Sequence, residues 1–281
     1  MFTKSIAFLG AGSMAEAIIG GLVRQHIVDP RLVTATNVMD TQRLEELEAR
    51  YGIQTTSDRA SAVAGKDIVI LAMKPANVQE AIAFVEDVLT SEQLFISVAA
   101  GITLPYLEHI LPANGAVIRS MPNTSAKVGA SATALSLGTH ATDTDLKTAS
   151  ALFQSIGSAT VVAEAQMDAV TGIAGSGPAY FYYILEGLLQ AAAMQGLAEE
   201  EAKAFVYQTA RGVMQRLEST EKSPKQLYQE VMSPNGTTEA GIHHLEEAHL
   251  QAILQGAVAK AVKRSEEIGK ELGKVDGVSQ R

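Results

Sequence analysis

Three segments carry the residues whose types and spacing point to chemistry. Near the start, Gly10-Ala11-Gly12-Ser13-Met14-Ala15 follows the apolar run Ile6–Leu9. Far downstream stand TGIAGSGPAYF at 171–181 and VMSPNGTTEAG at 231–241. The first is the G-x-G-x-x-A form of a turn that receives a pyrophosphate. Gly10 permits the tight turn, Gly12 lets backbone approach the anion, and Ala15 is small enough for a helix to pack on the strand. Ala17, Ile18, Ile19, Leu22 and Val23 continue with helical period, so the N–H groups at that helix start face the bound anion. Glycines alone are weak, but a strand before them and a helix after them supply the context. A bound dinucleotide is the expected consequence.

The elements that must position these residues can be read from periodicity. Strand-like runs lie near 5–9, 32–36, 67–72, 94–98 and 116–119, with helical patterns at 13–25, 40–51, 77–88 and 103–110 between them. Such alternation predicts an α/β fold, a doubly wound parallel sheet with helices on both faces. A further pair of strands is expected at 130–137 and 159–163 around a helix at 144–156. From about 165 the pattern becomes helical: 178–196, 199–217, 224–231, 237–247 and 249–272, with Pro224 and Pro234 at breaks. The predicted division is 1–164 for the dinucleotide-binding domain and 165–281 for an all-helical domain. The 178–196 helix is apolar on more than one side, through Phe181, Tyr182, Ile184, Leu185, Leu188, Leu189 and Ala191–Ala193. A domain of that size does not easily supply such cover, so a subunit interface is expected, with a central helix wrapped by its own neighbours as the alternative.

Composition narrows the class. The chain has 281 residues, 47% of them hydrophobic, and a net charge of −9 without a basic cluster. This argues against nucleic acid or an anionic membrane as partner. The absence of cysteine excludes disulfides, thiolate catalysis and cysteine-held metal. No basic and apolar leader opens the chain and no apolar run reaches spanning length, so a soluble cytoplasmic protein is expected.

The choice of dinucleotide turns on the end of the second strand, where NAD-preferring folds place an acidic residue on the ribose 2′-hydroxyl. Here the strand ends at Asn37, which does not repel a 2′-phosphate and can donate to it. Asp40 is assigned to the start of the next helix, and Arg43 and Arg59 are candidate sources of positive charge. The balance favours NADPH, with NADH as the alternative. Ala72-Met73-Lys74-Pro75 and Ala99-Ala100-Gly101 follow two other strands. They stand at the carboxyl ends, where open sheets bind ligands.

At this point the chain resembles the pyrroline-5-carboxylate reductases over essentially its whole length. The resemblance is carried by the opening turn, ILAMKP at 70–75, SVAAGI at 97–102, RSMPNT at 119–124, DAVTGIAGSGPAY at 168–180 and SPNGTTEAG at 233–241. It implies NAD(P)H-dependent reduction of the cyclic imine 1-pyrroline-5-carboxylate to L-proline, the last step of proline biosynthesis. It also implies a Rossmann domain followed by a helical dimerisation domain, with homodimers that assemble further into rings. Carried over by position, Gly10, Ala11, Gly12, Ser13 and Met14 wrap the pyrophosphate, and Asn37 meets the adenosine ribose or its phosphate. Ala72, Met73, Lys74, Pro75, Ala99 and Ala100 line the cofactor. Glu164, Ser233, Gly236, Thr237 and Thr238 hold the substrate, with Thr238 nearest the imine and in the catalytic position. Three positions depart from the family pattern. Asn235 replaces the first of two glycines, and asparagine tolerates positive φ. Val38 stands where a basic residue commonly follows Asn37. Arg59 replaces an asparagine that touches the cofactor, and so becomes a candidate phosphate contact.

The residues make this chemistry reasonable. Reducing C=N needs a hydride donor, an anchor for the carboxylate and a proton on nitrogen. Ser233 to Thr238 lead into a helix, whose N–H groups can receive a carboxylate without an arginine. A threonine hydroxyl is a poor acid, so Thr238 is read as an orienting donor, with the imine arriving partly protonated. The histidine-rich stretch 243–249 lacks the H-E-x-x-H order and reads as a solvated helix face, so no metal is expected. A β-hydroxyacid dehydrogenase would need a lysine after Gly177, where the chain reads PAYFYYILEGLLQ. A third alternative, a redox sensor that holds NADP without turnover, is separated by a turnover assay.

Overall fold

The computed structural model describes residues 2–275. Met1 and residues 276–281, the outermost residues of the two expected domains, lie outside the described residues. The chain divides into two compact units, Met1–Pro178 with Lys260–Arg281 and Ala179–Ala259.

The first unit is built on eight strands: β1 Ile6–Leu9, β2 Val33–Thr36, β3 Gln54–Thr56, β4 Ile68–Leu71, β5 Leu94–Ser97, β6 Ala116–Met121, β7 Ser131–Leu137 and β8 Gly157–Val161. Their order in the sheet is β3-β2-β1-β4-β5-β6-β7-β8. The chain runs outward from β1 to β3, then crosses back to lay β4 on the other side of β1. That reversal opens a crevice at the carboxyl ends of β1 and β4. The helices are α1 Ser13–Arg24, α2 Thr41–Tyr51, α3 Arg59–Val63, α4 Val78–Ala83, α5 Leu104–Ile110, α6 Asp143–Gln154, α7 Met167–Val170, α8 Gly177–Met194, α9 Glu199–Glu218, α10 Pro224–Glu230, α11 Thr237–Glu247 and α12 Leu250–Val275.

Strands β1 and β4 are apolar at every position because both faces are covered. In β1, Ile6 and Phe8 point into one core with Ile18, Ile19, Leu22 and Phe153. Ala7 and Leu9 point into the other, with Val63, Leu71, Phe95 and Leu107. This is the two-residue alternation of a strand, with both faces buried. Burying each large side chain contributes about 1.5–3 kcal/mol, which makes this sheet a firm base for the loops at its edge.

Three details differ from the sequence expectation. The pairing of β6 with β7 is antiparallel, because the 122–130 segment holds only a 3₁₀ turn, Thr124–Val128, and a parallel return needs a longer crossover. Strand β3 went unseen because Gln54-Thr55-Thr56 is polar and largely outside the core. The single helix expected at 77–88 is instead α4 between two 3₁₀ turns, Pro75–Asn77 and Glu86–Val88.

The second unit is helical. Ser223 caps α10, its hydroxyl accepting from the Gln226 N–H at 3.3 Å, and Pro224 occupies the first helical position, where its missing N–H costs nothing. Phe181, Tyr182, Leu188, Phe205 and Val213 are all more than half exposed. Among the described residues no helix is long and apolar enough to cross a membrane.

Candidate active site

Strands β1 to β5 are mutually parallel, so the segments that follow β1, β2, β4 and β5 emerge at one edge of the sheet. Gly10 has φ +105, and a Cβ there would lie 2.6 Å from the Ala72 carbonyl oxygen. The turn therefore requires glycine twice over, for its left-handed backbone and for its approach to the post-β4 segment. Gly12 is the N-cap of α1 and has no side chain to cap it. A Cβ at Gly12 would meet nothing within 4 Å. The way to the first N–H groups of α1 is thus open, and those groups have no intrahelical acceptor. Ala15 is fully buried against the sheet. These features fit a pyrophosphate.

The turn is braced from behind. Arg43 donates through Nε to the Ala11 carbonyl at 3.1 Å, pairs with Glu16 and lies 3.3 Å from Glu46. The hydrogen bond from Arg43, then the charges of Arg43 and Arg50 and the hydroxyl of Tyr51, hold the Glu16 carboxyl below its ordinary value despite partial burial. This corrects one sequence reading: Arg43 has its guanidinium committed to this brace, so it is not the free cation that a 2′-phosphate would need.

Past the carboxyl end of β2 a pocket is lined by Gly10, Thr36, Asn37, Arg59 and Met73 among others. The Asn37 carbonyl oxygen accepts from the N–H groups of Met39 and Asp40 at 3.1 and 3.3 Å, which leaves its NH₂ as a donor. The Thr36 hydroxyl beside it is buried and has no partner. Asp40 caps α2, accepting from the Arg43 N–H at 2.9 Å, and so belongs to the helix. The Arg59 guanidinium lies 5.5 Å from the Phe84 ring centre and 3.7 Å from Glu80, a loose pairing that leaves donors toward the pocket. Lys74 is exposed at the start of the Pro75–Asn77 turn. Ala99 is buried past β5, and its N–H donates to Ser97 Oγ at 3.3 Å.

The motifs RSMPNT and TGIAGSGP interlock. The residues Thr171–Gly175 form a π-turn, closed by a bond from the Ser176 N–H to the Thr171 carbonyl at 2.9 Å. Widening the helix frees carbonyls, and the Ala174 carbonyl accepts from Asn123 Nδ2 at 3.0 Å. A Cβ on Gly175 would lie 2.5 Å from Met121 Cε. π-turns of this kind are frequent at functional sites.

Glu164 stands just after β8. Its Oε1 accepts from Arg119 at 2.6 Å and from the Leu104 N–H at 3.0 Å, while its Oε2 is buried and unpartnered. Arg119 also reaches Asp168 at 3.4 Å, and Asp168 accepts from the Ser265 hydroxyl at 2.6 Å. Arg119, Asn123 and Asp168 stood inside the motifs RSMPNT and DAVTGIAGSGPAY without an assigned role, and Ser265 was not singled out in the sequence. The available signal was an arginine inside the apolar run AVIRSM, since a buried arginine implies paired carboxylates.

The residues 233–238 lie in the second unit. Asn235 has φ +58, so asparagine takes the left-handed position, and its N–H donates to Glu239 at 2.7 Å. Gly236 is the N-cap of α11, and a Cβ there would lie 2.4 Å from Ser233 Oγ. Thr237 and Thr238 open the helix; Thr238 is half-buried and Ser233 exposed. His243 lies 3.6 Å from Glu246, both exposed. No group of three or more potential ligands is arranged for a metal among the described residues.

Comparison with known proteins adds the chemistry these features belong to. Residues 164–268 match the family described as pyrroline-5-carboxylate reductase dimerisation, and residues 5–101 match NADP oxidoreductase, coenzyme F420-dependent. Pyrroline-5-carboxylate reductase 2 of Bacillus subtilis is 42% identical over 94% of this chain and 95% of its own. The solved pyrroline-5-carboxylate reductase of Coxiella burnetii is 34% identical, with a TM-score of 0.87 over 95% of this chain and 99% of that one. The Plasmodium falciparum pyrroline carboxylate reductase, solved with NADP bound, is 26% identical, with a TM-score of 0.88 over 96% and 99%. Sequence likeness and fold agree along nearly the whole length, and the chain belongs to the pyrroline-5-carboxylate reductase family.

Proposed function

We propose that the protein reduces 1-pyrroline-5-carboxylate to L-proline with NADPH, as the last step of proline biosynthesis. The observation that carries this reading is the 42% identity to a named reductase across 94% of the chain. Bound at the carboxyl edge of the sheet, the reduced nicotinamide supplies a hydride. Gly10, Ala11, Gly12, Ser13 and Met14 hold the pyrophosphate through backbone N–H groups, which need no side chain and add no charge. Asn37 and Arg59 read the 2′-phosphate, and Ala72, Met73, Lys74, Pro75, Ala99 and Ala100 line the rest of the dinucleotide. Ser233, Gly236 and Thr237 receive the substrate carboxylate at the start of α11. Thr238 orients the imine nitrogen, and Glu164 is a further substrate contact.

The same reading divides the labour between residues 1–164 for the dinucleotide and 165–281 for substrate and assembly. It makes the protein a homodimer, assembled further into rings, and places it in the cytoplasm, in keeping with an acidic, cysteine-free chain. Steady-state assays with 1-pyrroline-5-carboxylate and each reduced nucleotide test it. Turnover without added metal, and faster with NADPH, is expected. Asn37→Asp should raise the KM for NADPH roughly tenfold to a hundredfold and leave NADH nearly unchanged, because a like charge costs on the order of 1–3 kcal/mol. Absence of turnover, or a chelator-sensitive activity restored by a divalent ion, would overturn the mechanism.

A further inference from the structure

Among the described residues, Arg59 is the one charged side chain that lines the pocket past β2. It opens α3, which is anchored by the fully buried Ala62 and Val63. Its side chain is 22% exposed, so a group bound in the pocket can reach it. The two groups that stand against Arg59 come from one face of α4 and its cap. Glu80 and Phe84 are four residues apart, and the Phe84 N–H donates to the Glu80 carbonyl at 3.1 Å, a helical turn that sets the two side chains together. Ala81 and Ile82 between them are buried, which fixes the helix. Phe84 is 65% exposed and belongs to neither core cluster.

The ring and the carboxylate act on the guanidinium differently. Arg59 lies over the Phe84 ring, 5.5 Å from its centre. An aromatic face attracts a cation within about 6 Å and takes up none of its N–H donors. Glu80 Oε1 lies 3.7 Å from Arg59 Nη1, beyond hydrogen-bond reach, and a carboxylate and a phosphate seek the same N–H fork. We propose that Phe84 and Glu80 are positioning residues that tune selectivity for NADPH through Arg59: the ring holds the guanidinium at the pocket, and the carboxylate competes with the 2′-phosphate for it. This rests on the reading of Arg59 as a 2′-phosphate contact. Glu80 is the weaker competitor, because it is solvated and carries less charge than a phosphate. Binding of NADPH then draws Arg59 off the carboxylate while the ring contact is kept.

The test is equilibrium binding of NADPH and NADH to the full chain, followed by nucleotide fluorescence, in wild type, Phe84→Leu, Glu80→Gln and Arg59→Ala. The two substitutions on α4 should move NADPH in opposite directions, which a merely structural role would not do. Phe84→Leu should weaken NADPH about two- to fivefold, and Glu80→Gln should tighten it about two- to fivefold. NADH, which lacks the phosphate, should change by less than about twofold in both. An unchanged ratio of the two affinities in either variant overturns the inference. If Phe84→Leu does not fold, Glu80→Gln carries the test alone, since its side chain is 80% exposed. Arg59→Ala separates the two levels. It should weaken NADPH about tenfold or more and abolish the effects of both α4 substitutions when combined with them. Equal losses of NADPH and NADH would put the guanidinium on a part that both share, and overturn the phosphate reading of Arg59 together with the inference. A loss confined to NADPH, with the α4 substitutions still effective in the Arg59→Ala background, overturns only the roles of Phe84 and Glu80.

Discussion

Thr238 sits in the first turn of α11, two residues past the Gly236 cap, beside a loop whose shape does not depend on its hydroxyl. The loop is closed instead by the Gly236 N–H on the Ser233 carbonyl at 2.9 Å and by Glu239 on the Asn235 N–H. Thr238→Val keeps the volume and removes only the hydroxyl, so its effect reads chemistry rather than folding. A fully preorganised transition-state donor is worth about 2.7–4 kcal/mol, and a role shared with a water is worth less. The kcat of Thr238→Val should fall on the order of tenfold, with NADPH affinity unchanged. A wild-type kcat would remove the hydroxyl from the mechanism and leave proton supply to the substrate itself. At this scale the chain was partly legible. Asn235 could be read as left-handed because asparagine tolerates positive φ, and Asp40 as a helix cap from its place before Thr41. The commitment of Arg43 to Ala11 and Glu16 was not legible, since it joins residues 32 and 27 positions apart.

Among the elements, α12 packs against the segment that follows β5. Gly101 follows β5 with φ +77, and a Cβ there would lie 2.7 Å from Ile268 Cγ2 and 3.3 Å from the Ser265 carbonyl. Gly129 has nearly the same φ, +75, but open space around it. The two glycines therefore separate backbone strain from packing. Gly129→Ala should cost about 1–2 kcal/mol in urea unfolding, the ordinary penalty for a side chain in the left-handed region. Gly101→Ala should cost that and a further 1–3 kcal/mol for overpacking, and should weaken NADPH binding through the displaced Ala99–Gly101 segment. Equal costs would show that α12 does not constrain the loop. The contact between residues 101 and 268 had no counterpart in the sequence. Apolar runs and glycines announce strands and turns, because those are local. Strand β3 and the π-turn were hidden for the opposite reason, since neither polar Gln54-Thr55-Thr56 nor TGIAG carries a distinctive period and both are held by neighbours.

For the whole molecule, the decisive feature is apolar surface that the chain itself leaves uncovered. The sequence showed that α8 is apolar on several sides. The structure shows Phe181 63%, Tyr183 82% and Leu188 52% exposed on that helix, with Phe205 63% and Val213 53% exposed on α9. Large apolar side chains left exposed in this number mark an association face, and this stretch falls within the residues matched to a dimerisation domain. A second copy of the chain is the natural cover, since an isologous pair presents the same apolar helices to itself. Each large side chain so buried contributes about 1.5–3 kcal/mol, enough together to make folding and association inseparable. Leu188→Glu should then shift the protein in sedimentation from a dimer or larger species to monomer or aggregate. It should abolish turnover and lower the thermal midpoint, with a midpoint that no longer rises with protein concentration. The charge would enter an interface that offers it no partner, a cost that exposed leucine in a monomer would not incur. A fully active monomeric wild type, or a Leu188→Glu variant with unchanged sedimentation and activity, would place the association face elsewhere.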